Sequence, residues 1–393
     1  MRFKPSDFRT LAPILAALLW HPSPVHSAKL FVGTTVGVIV SIDFNDSYVN
    51  QIADDFNAAP LPTWQTITRS SLLISTNEGP QGGRGSVVSY RITSNGPLTW
   101  ISKQDALPGA IHAAVSPNGR FVAAASYYSN GVNIYPLSGA GVLGPASQNL
   151  TYTLPTPGIV AARQETTHPH QIVFDPSDRF MLVNDLGADL IRIYTVQSSE
   201  AGVIPAAEVA VPAGFGPRHG KFLRMDNGGI FYYLVGELAN AIATFAVSYT
   251  ADGNRMNLTL TKRVSTYGPL TPPARNPRVA ASGIEISPDK KFLYVSNRGD
   301  SSFPGRGGST PSDSISAWGI NPDGSLRFLR LLPAGGSTPR HFSLDQTGQY
   351  AAVALQDSNL VAFFQRDVGT GLWPDKPLVA WNSPPGPACV TWL

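Results

Sequence analysis

Histidines, arginines and carboxylates recur at matching points of a repeated pattern in this chain. Five of its seven histidines lie at the start of a short apolar segment, and two of these directly follow an arginine. Carboxylates, an amide and a further arginine follow the next apolar segment, although only 14% of the residues are charged. The first set comprises His112, His168, His170, Arg218, His219, Arg340 and His341, and the second comprises Asp185, Glu237, Asn297 and Arg298.

These residue types suit acid–base and oxyanion chemistry. The forked donors of Arg218 and Arg298 can bind a carboxylate or phosphate group, and a guanidinium can also stabilise an oxyanion. Glu237, placed among cations, can act as a general base on water, and His170 or His219 can donate or accept a proton. A structural interpretation stands beside this one, in which arginine–carboxylate pairs join neighbouring repeats. The convergence of the whole set favours a functional site.

Motifs typical of metal and nucleotide sites are missing from the sequence. The chain contains no HExxH, CxxC or GxSxG motif, no EF-hand loop and no phosphate-binding loop. We therefore predict that the site uses no metal ion and no cofactor.

Short strands carry these residues. In the clearest copy of the pattern, 168–196, a turn at Asp175-Pro176 separates two apolar strands, and a third strand alternates between apolar and polar residues. Equivalent turns recur at intervals of between 52 and 60 residues, and a less regular sixth copy surrounds Asn77-Glu78. The equivalent turns are Ser116-Pro117, Asn227-Gly228, Ser287-Pro288 and Asp345-Gln346.

A seventh copy is divided between the two ends of the chain. Cys389 to Trp392 matches a first strand, while Lys29 to Val32 and Val38 to Ile42 match a second and a third. Such a split repeat with a period near 55 predicts an all-β fold, a single seven-bladed β-propeller closed by pairing of N- and C-terminal strands in one blade. A pair of β-sandwiches is the alternative, and the split repeat argues against it. The segments 138–164 and 299–313 are interpreted as insertions.

The first 27 residues resemble a secretory signal peptide. Three basic residues precede the ten-residue apolar run from Leu11 to Trp20, which is too short to span a bilayer. Small residues at Val25 and Ser27 predict cleavage after Ser27, with an uncleaved anchor as the alternative. We therefore expect a secreted, extracellular protein whose propeller domain covers 28–393.

Charge and cysteine content narrow the classes of partner. The segment 1–27 holds three basic residues and one acid, so cleavage lowers the formal net charge from +3 to +1. This balance predicts no nucleic-acid partner and no membrane association. Cys389 is the single cysteine, which excludes an intrachain disulfide. Glycosylation sequons begin at Asn45, Asn149 and Asn257 and are interpreted as markers of surface loops in a glycoprotein.

Several motifs together resemble a known family. The chain is similar to the lactonase family of seven-bladed propellers, which includes bacterial 6-phosphogluconolactonase and the fungal carboxy-cis,cis-muconate lactonizing enzyme, and we expect a secreted, fungal-type member. The resemblance covers roughly 110–366. Its motifs are His168-Pro169-His170-Gln171, Asp185-Leu186-Gly187-Ala188-Asp189, Gly216-Pro217-Arg218-His219, Gly236-Glu237-Leu238, Ser296-Asn297-Arg298-Gly299 and Thr338-Pro339-Arg340.

The resemblance implies metal-independent opening or closing of a lactone ring in a small molecule that bears a carboxylate. It implies that Glu237, His170 and Arg218 are catalytic and that Arg298 lies in the same core. The other residues expected to bind substrate are His219, Arg340, His168, Asp185 and Asn297. A secreted lactonase is the leading hypothesis. A muconate-type cycloisomerase is the second, and a non-catalytic propeller that binds carbohydrate or protein is the third. The oligomeric state stays open.

Overall fold

Seven antiparallel sheets of four strands each make up the part of the chain that the structure describes. In this computed structural model these residues are 27–80, 83–197, 201–272, 279–304 and 311–393. The predicted all-β, seven-bladed fold is confirmed. Within the described residues no helix is long and apolar enough to cross a membrane.

The strands follow the chain from blade to blade, and each blade runs from an inner strand at the channel to an outer strand. Blade 7 is formed by both ends of the chain and consists of β1 (Ser27–Thr34), β2 (Ile39–Asn45), β3 (Tyr48–Asp55) and β28 (Pro387–Trp392). Blades 1 to 3 consist of β4 (Trp64–Ile67), β5 (Leu72–Asn77), β6 (Gly85–Ile92) and β7 (Leu98–Ala106); β8 (Ala110–Val115), β9 (Phe121–Ser126), β10 (Gly131–Pro136) and β11 (Gln148–Thr151); and β12 (Pro169–Phe174), β13 (Phe180–Asp185), β14 (Leu190–Val196) and β15 (Val203–Ala210). Blades 4 to 6 consist of β16 (Pro217–Arg224), β17 (Ile230–Gly236), β18 (Ala241–Tyr249) and β19 (Met256–Ser265); β20 (Ala280–Ile286), β21 (Phe292–Arg298), β22 (Ser314–Ile320) and β23 (Leu326–Pro333); and β24 (Pro339–Leu344), β25 (Tyr350–Leu355), β26 (Leu360–Gln365) and β27 (Val379–Asn382).

The two ends of the chain close the ring as predicted. Strand β28 is the inner strand of blade 7 and pairs antiparallel with β1, with Val32 opposite Val390 and Leu30 opposite Trp392. The inner strands β4, β8, β12, β16, β20, β24 and β28 pack side by side, and β28 packs in turn against β4.

Side-chain hydrogen bonds within a turn explain why the repeats can be recognised in the sequence. The side chain of Asp175 accepts hydrogen bonds from the backbone N–H of Arg179 at 3.0 Å and of Phe180 at 2.8 Å. Asp345 accepts the corresponding bond from Tyr350 at 2.8 Å. A short polar side chain at this point therefore fixes the turn between the first and second strands, which is the role that favours Asp and Ser in turns.

The hydrophobic core lies between neighbouring blades. At the closing blade, the ring of Phe44 stacks on Phe363 of blade 6 with centroids 4.5 Å apart, and Trp392 meets Phe44 edge-on at 5.6 Å. Val32 and Val40 of blade 7 pack in the same cluster. Each apolar layer is formed by two neighbouring blades. Val390 of β28 belongs to this layer, so the stability of blade 7 depends on its C-terminal strand.

Two sequence interpretations need correction. The segment 138–164 is not wholly an insertion, since it contains β11, the outer strand of blade 2, whose four residues are too few to show a period. The three sequon asparagines lie in strands rather than loops, with Asn149 and Asn257 exposed on outer strands. The predicted signal peptide, apart from Ser27, lies outside the described residues.

Candidate active site

β-Bulges recur where five inner strands reach one rim of the channel. The strand register shifts around Ile111 in β8, His170 in β12, Arg218 in β16, Ser282 in β20 and Arg340 in β24. A bulge bends a strand and redirects side chains, and bulges are common next to active sites. Four of these five residues, Ile111, His170, Arg218 and Arg340, line one cavity.

The cavity at this rim has a volume of about 330 Å³. It falls in the size range of small-molecule sites. Four arginines face three glutamates in its wall, so the lining carries one positive charge in excess. The lining residues are Glu78, Ile111, Tyr127, Tyr128, Ala162, Arg163, Glu165, His170, Arg218, Glu237, Arg298 and Arg340.

Glu237 is the centre of the charge network. Its Oε1 accepts a bond from Arg163 at 2.7 Å. Its Oε2 lies 2.7 Å from Nε of Arg218 and 3.2 Å from Nη2 of Arg298. Burial alone would raise the pKa of Glu237, but Arg298, Arg218 and Arg163 together hold it well below its usual range. The carboxylate is therefore ionised, with both oxygens engaged.

The arginines of the cavity differ in how fully they are bound. Arg218 also donates to the carbonyl of Ser282 at 3.1 Å, and burial lowers the pKa of Arg218 to about 9, which leaves it charged at neutral pH. Arg298 donates to the carbonyl of Ala280 at 3.2 Å. Arg340 donates to Glu78 at 2.6 Å, a bond that joins blade 6 to blade 1 across the closing blade.

His170 is the uncharged member of the group. Its side chain is buried, and its Nδ1 has no hydrogen-bond partner among the described residues. Burial lowers the pKa of His170 well below its ordinary value and Arg218 acts in the same direction, while Glu237 opposes them. His170 lines the cavity, and a neutral imidazole can accept a proton there.

Comparisons with known proteins identify the family of this chain. Residues 29–392 match the family described as "Lactonase, 7-bladed beta-propeller". The chain belongs to this family. It is 30% identical to a "Probable 6-phosphogluconolactonase" of Arthroderma benhamiae, over 87% of this chain and 83% of that protein. It is also 30% identical to a 6-phosphogluconolactonase of Formosa agariphila, over 76% of this chain and 79% of that one.

A solved structure shows the same likeness. The periplasmic gluconolactonase of Pseudomonas aeruginosa superimposes with a TM-score of 0.78 and 26% identity, over 94% of this chain and 99% of that one. The resemblance to the propeller lactonases inferred from the motifs is thereby confirmed.

Four residues expected to bind substrate in this lactonase-family member lie outside the wall of the large cavity, namely Asp185, Asn297, His168 and His219. Asp185 is fully buried and pairs with Arg192 of its own blade at 2.8 Å. Asn297 donates to the hydroxyl of Ser314 at 3.0 Å, also within its blade. His168 stacks on Tyr127 with ring centroids 4.2 Å apart, which places it behind the wall.

Strand alternation explains the misplacement of Asp185 and Asn297. Each is the last residue of its second strand that pairs with the third strand, opposite the first residue of that strand, as Gly236 is in blade 4. The cavity is lined one residue later, by Glu237 and Arg298 and by Tyr127 and Glu78 in blades 2 and 1. Successive side chains of a strand alternate in direction. Of two adjacent residues, one therefore faces the channel rim and the other faces the blade interior.

His219 lies deeper in the channel of this lactonase fold. It lines a small cavity of about 10 Å³ below the large one, together with Trp64 and His341. Trp64 is surrounded by imidazoles, with His112 at 4.1 Å and His341 at 4.9 Å between ring centroids. Burial lowers the pKa of His219 and of His112 well below the ordinary value and that of His341 to about 3. No cluster of three or more metal-binding side chains occurs among the described residues.

Arg163 and Tyr127 are among the wall residues that the repeats did not predict. Arg163 lies in the connection 152–168 between blades 2 and 3, which no repeat pattern covers, so the unusual length of that connection is the only signal in the sequence. Tyr127 follows the end of β9 at the position that Glu237 occupies after β17. Aligning the repeats one residue further along would have found Tyr127.

Proposed function

We propose that this protein hydrolyses the lactone ring of a small molecule that carries an acidic group, without a metal ion. The observation that carries the proposal is the convergence of Arg163, Arg218 and Arg298 on Glu237 in a cavity that His170 also lines. The excess positive charge suits an anionic substrate, and the lactonase relatives support a lactone as the reacting group.

The proposed chemistry begins with water. His170 accepts a proton while the water oxygen attacks the lactone carbonyl carbon, and the negative charge that develops on the carbonyl oxygen is stabilised by Arg218 and Arg298. The ring C–O bond then breaks, and the protonated His170 returns its proton to the leaving ring oxygen. Water and lactone thus give one hydroxy acid, with no other reactant.

Glu237 serves this scheme best by holding the guanidiniums in place. The motif around Glu237 predicts a general base, but the contacts of this carboxylate favour a structural role. Three cations lower its pKa and occupy both oxygens, which makes the carboxylate a weak base. His170 lines the same cavity as a neutral imidazole, so we assign the base to His170.

The other two hypotheses are less well supported. A muconate-type cyclisation needs a proton donor, and the lowered pKa of His170 leaves it uncharged near pH 7. A binding module would have no use for a buried imidazole whose Nδ1 has no partner among the described residues.

Assays of ring opening test the proposal. The purified protein is incubated with glucono-δ-lactone, 6-phosphoglucono-δ-lactone, a carboxymuconolactone and 3-carboxy-cis,cis-muconate, with and without EDTA, and acid release is followed against spontaneous hydrolysis. We expect opening of at least one lactone, unchanged by EDTA. Opening of none would reject lactone hydrolysis, and cyclisation of the muconate would support the second hypothesis.

A matched pair of variants tests the role of His170. We expect His170→Asn to lower kcat by on the order of 10²–10⁴. His112 is also buried and neutral but lies outside the large cavity. We therefore expect His112→Asn to remain within about threefold of the parent, because it removes no reacting group. Equal losses in both variants would reject a catalytic role for His170.

We also propose that the protein is secreted and that its mature chain begins at Ala28, from the order of basic, apolar and small residues in 1–27. Mass spectrometry of the N-terminus from a culture supernatant tests this. Protein that retains Met1 and stays inside the cell would contradict both statements.

A further inference from the structure

We propose that Arg163, on the connection between blades 2 and 3, binds the acidic group of the lactone substrate and sets the preference for acidic over neutral lactones. This inference rests on the proposed function. The acidic group is a carboxylate or a phosphate, since a guanidinium donates charge-assisted hydrogen bonds to either.

Exposure distinguishes Arg163 from the other arginines of the cavity. Its side chain is 39% exposed, against 18% for Arg298, 18% for Arg340 and 3% for Arg218. Arg163 can exchange its contacts with water for hydrogen bonds to an incoming anion. This exchange does not require a buried partner to become exposed. The buried cations are suited to the reacting carbonyl, and Arg163 is suited to the substituent.

Arg163 also has donors to spare. Its Nε and Nη2 bond to the hydroxyl of Tyr127 at 3.4 and 3.1 Å, and Nη2 bonds to Glu237 at 2.7 Å. Its Nη1 has no hydrogen bond within the described residues. The N–H groups of Nη1 can therefore be donated to an anionic substituent without breaking the bond to Glu237.

The connection holds Arg163 at a fixed place in the wall. Gln164, the next residue, is fully buried and donates to the carbonyl of Leu186 at 3.1 Å. Tyr127, which contacts the guanidinium, is held by stacking on His168. A cation fixed on both sides binds an anion with little loss of side-chain entropy.

The local charge balance favours an added anion. Arg163, Arg218 and Arg298 share the single carboxylate of Glu237, so this cluster has two positive charges in excess. Glu165 also lines the cavity, with its carboxylate bonded to Nε2 of His168 at 3.0 Å, and it lowers the excess of the whole wall to one positive charge. An acidic substituent beside Arg163 therefore enters a region of net positive charge.

The experiment compares Arg163→Met, Arg163→Lys and the parent on three lactones. Glucono-δ-lactone is neutral, 6-phosphoglucono-δ-lactone carries a phosphate, and a glucarolactone carries a carboxylate. We expect Arg163→Met to lower the ratio of kcat/KM for an acidic lactone to that for the neutral one by about 10- to 100-fold, mainly through KM, because charge-assisted hydrogen bonds are lost. Arg163→Lys should recover part of the ratio, and the more affected acidic lactone identifies the acid.

Arg330 supplies a matched control. Its side chain is 46% exposed and paired with Asp375 at 3.1 Å, away from the cavity. Arg330→Met should leave the ratio unchanged. Calorimetric titration with 6-phosphogluconate, glucarate and gluconate measures binding independently of turnover, and we expect Arg163→Met to weaken only the binding of the doubly acidic products.

The outcomes separate this inference from the proposed function. An unchanged ratio in Arg163→Met, with the parent active, would overturn the role of Arg163 and leave the lactonase proposal intact. A loss of the ratio in Arg298→Met alone would move the role to Arg298. If the parent opens no lactone, the titrations decide, and equal affinities of parent and Arg163→Met for 6-phosphogluconate and glucarate would overturn the inference.

Discussion

Glu237 shows how neighbours change what one carboxylate can do. A glutamate near water in a cavity is an ordinary candidate for a general base, and its position in the repeats made it one. Three guanidiniums within 3.2 Å convert it into the anion that keeps a buried arginine cluster together. Removal of one partner from a buried ion pair is costly, because the remaining charge stays desolvated.

Glu237→Gln should therefore affect stability as well as rate. We expect the free energy of unfolding to fall by about 3–5 kcal/mol, since Arg218 would remain buried without an ionised partner. We also expect kcat to fall by on the order of 10²-fold as the guanidiniums lose their alignment. Urea unfolding and steady-state kinetics measure the two effects.

Glu208→Gln is the control for this variant. Glu208 pairs with Arg192, but its side chain is 56% exposed and lies on an outer strand. Exposed pairs contribute about 0–1 kcal/mol, so this variant should unfold and turn over as the parent does. If Glu237→Gln proves as stable as Glu208→Gln, Glu237 does not hold the cluster together.

At the scale of the strand, the alternating direction of side chains limits what can be predicted from the sequence. The repeats located the rim, the inner-strand histidines and the arginines, because turns and apolar strands have a clear period. They did not show which of two adjacent residues at the end of a second strand faces the cavity. Asp185 and Asn297 lie inside a blade, whereas Glu237 and Arg298 line the cavity. A polar residue satisfies either environment, so polarity alone does not distinguish them.

The connection 152–168 could not be predicted at all, because its contacts are long-range. Gln164 uses both ends of its amide, donating to Leu186 and accepting from the backbone N–H of Val160 at 3.2 Å. We expect Gln164→Ala to lower the free energy of unfolding by about 1–3 kcal/mol, because two buried groups lose their partner. Hydrogen exchange should increase mainly in this connection.

Ile159→Ala is the comparison within the same connection. Ile159 is 74% exposed, so its truncation should change stability by no more than about 0.5 kcal/mol. Equal exchange in the two variants would mean that Gln164 does not fix the connection.

At the scale of the whole molecule, closure of the ring depends on seven C-terminal residues. Removal of 387–393 deletes β28, including the fully buried Cys389 and Val390. We expect Tm to fall by on the order of 10 °C or more, because an inner strand and its packing against two blades are lost. Removal of Leu393 alone should have little effect, and a melting curve of the longer truncation that matches the full chain would contradict the closure.

The buried histidines should make stability depend on pH. The pKa values of His112, His170 and His219 lie well below 6.5 in the folded chain, and that of His341 is about 3. The unfolded chain binds protons as the pH falls through about 6.5, whereas the folded chain does not. Stability therefore falls with decreasing pH, by up to about 1.4 kcal/mol per pH unit for each histidine.

One group acts in the opposite direction. Burial raises the pKa of Asp300 to about 6, so its protonation stabilises the folded chain as the pH falls below that value and offsets about one histidine. Urea unfolding at pH 7.5, 6.5 and 5.5 should show a net loss, with a smaller slope in His341→Gln. Equal stability at pH 7.5 and 5.5 would contradict the neutral state of the cluster.

The bond between Arg340 and Glu78 bears on when the cavity is completed during synthesis of the chain. These residues are 262 positions apart, and they meet only after the blades on both sides of the closing strand are in place. Ribosomes add about 5–20 residues per second, so β28 is made roughly 20 to 70 s after β1. Throughout that interval β1 is an open edge, and we expect Arg340 and Glu78 to remain apart. We therefore expect the cavity to be completed only after the final strand has been made, although that strand supplies none of the lining residues.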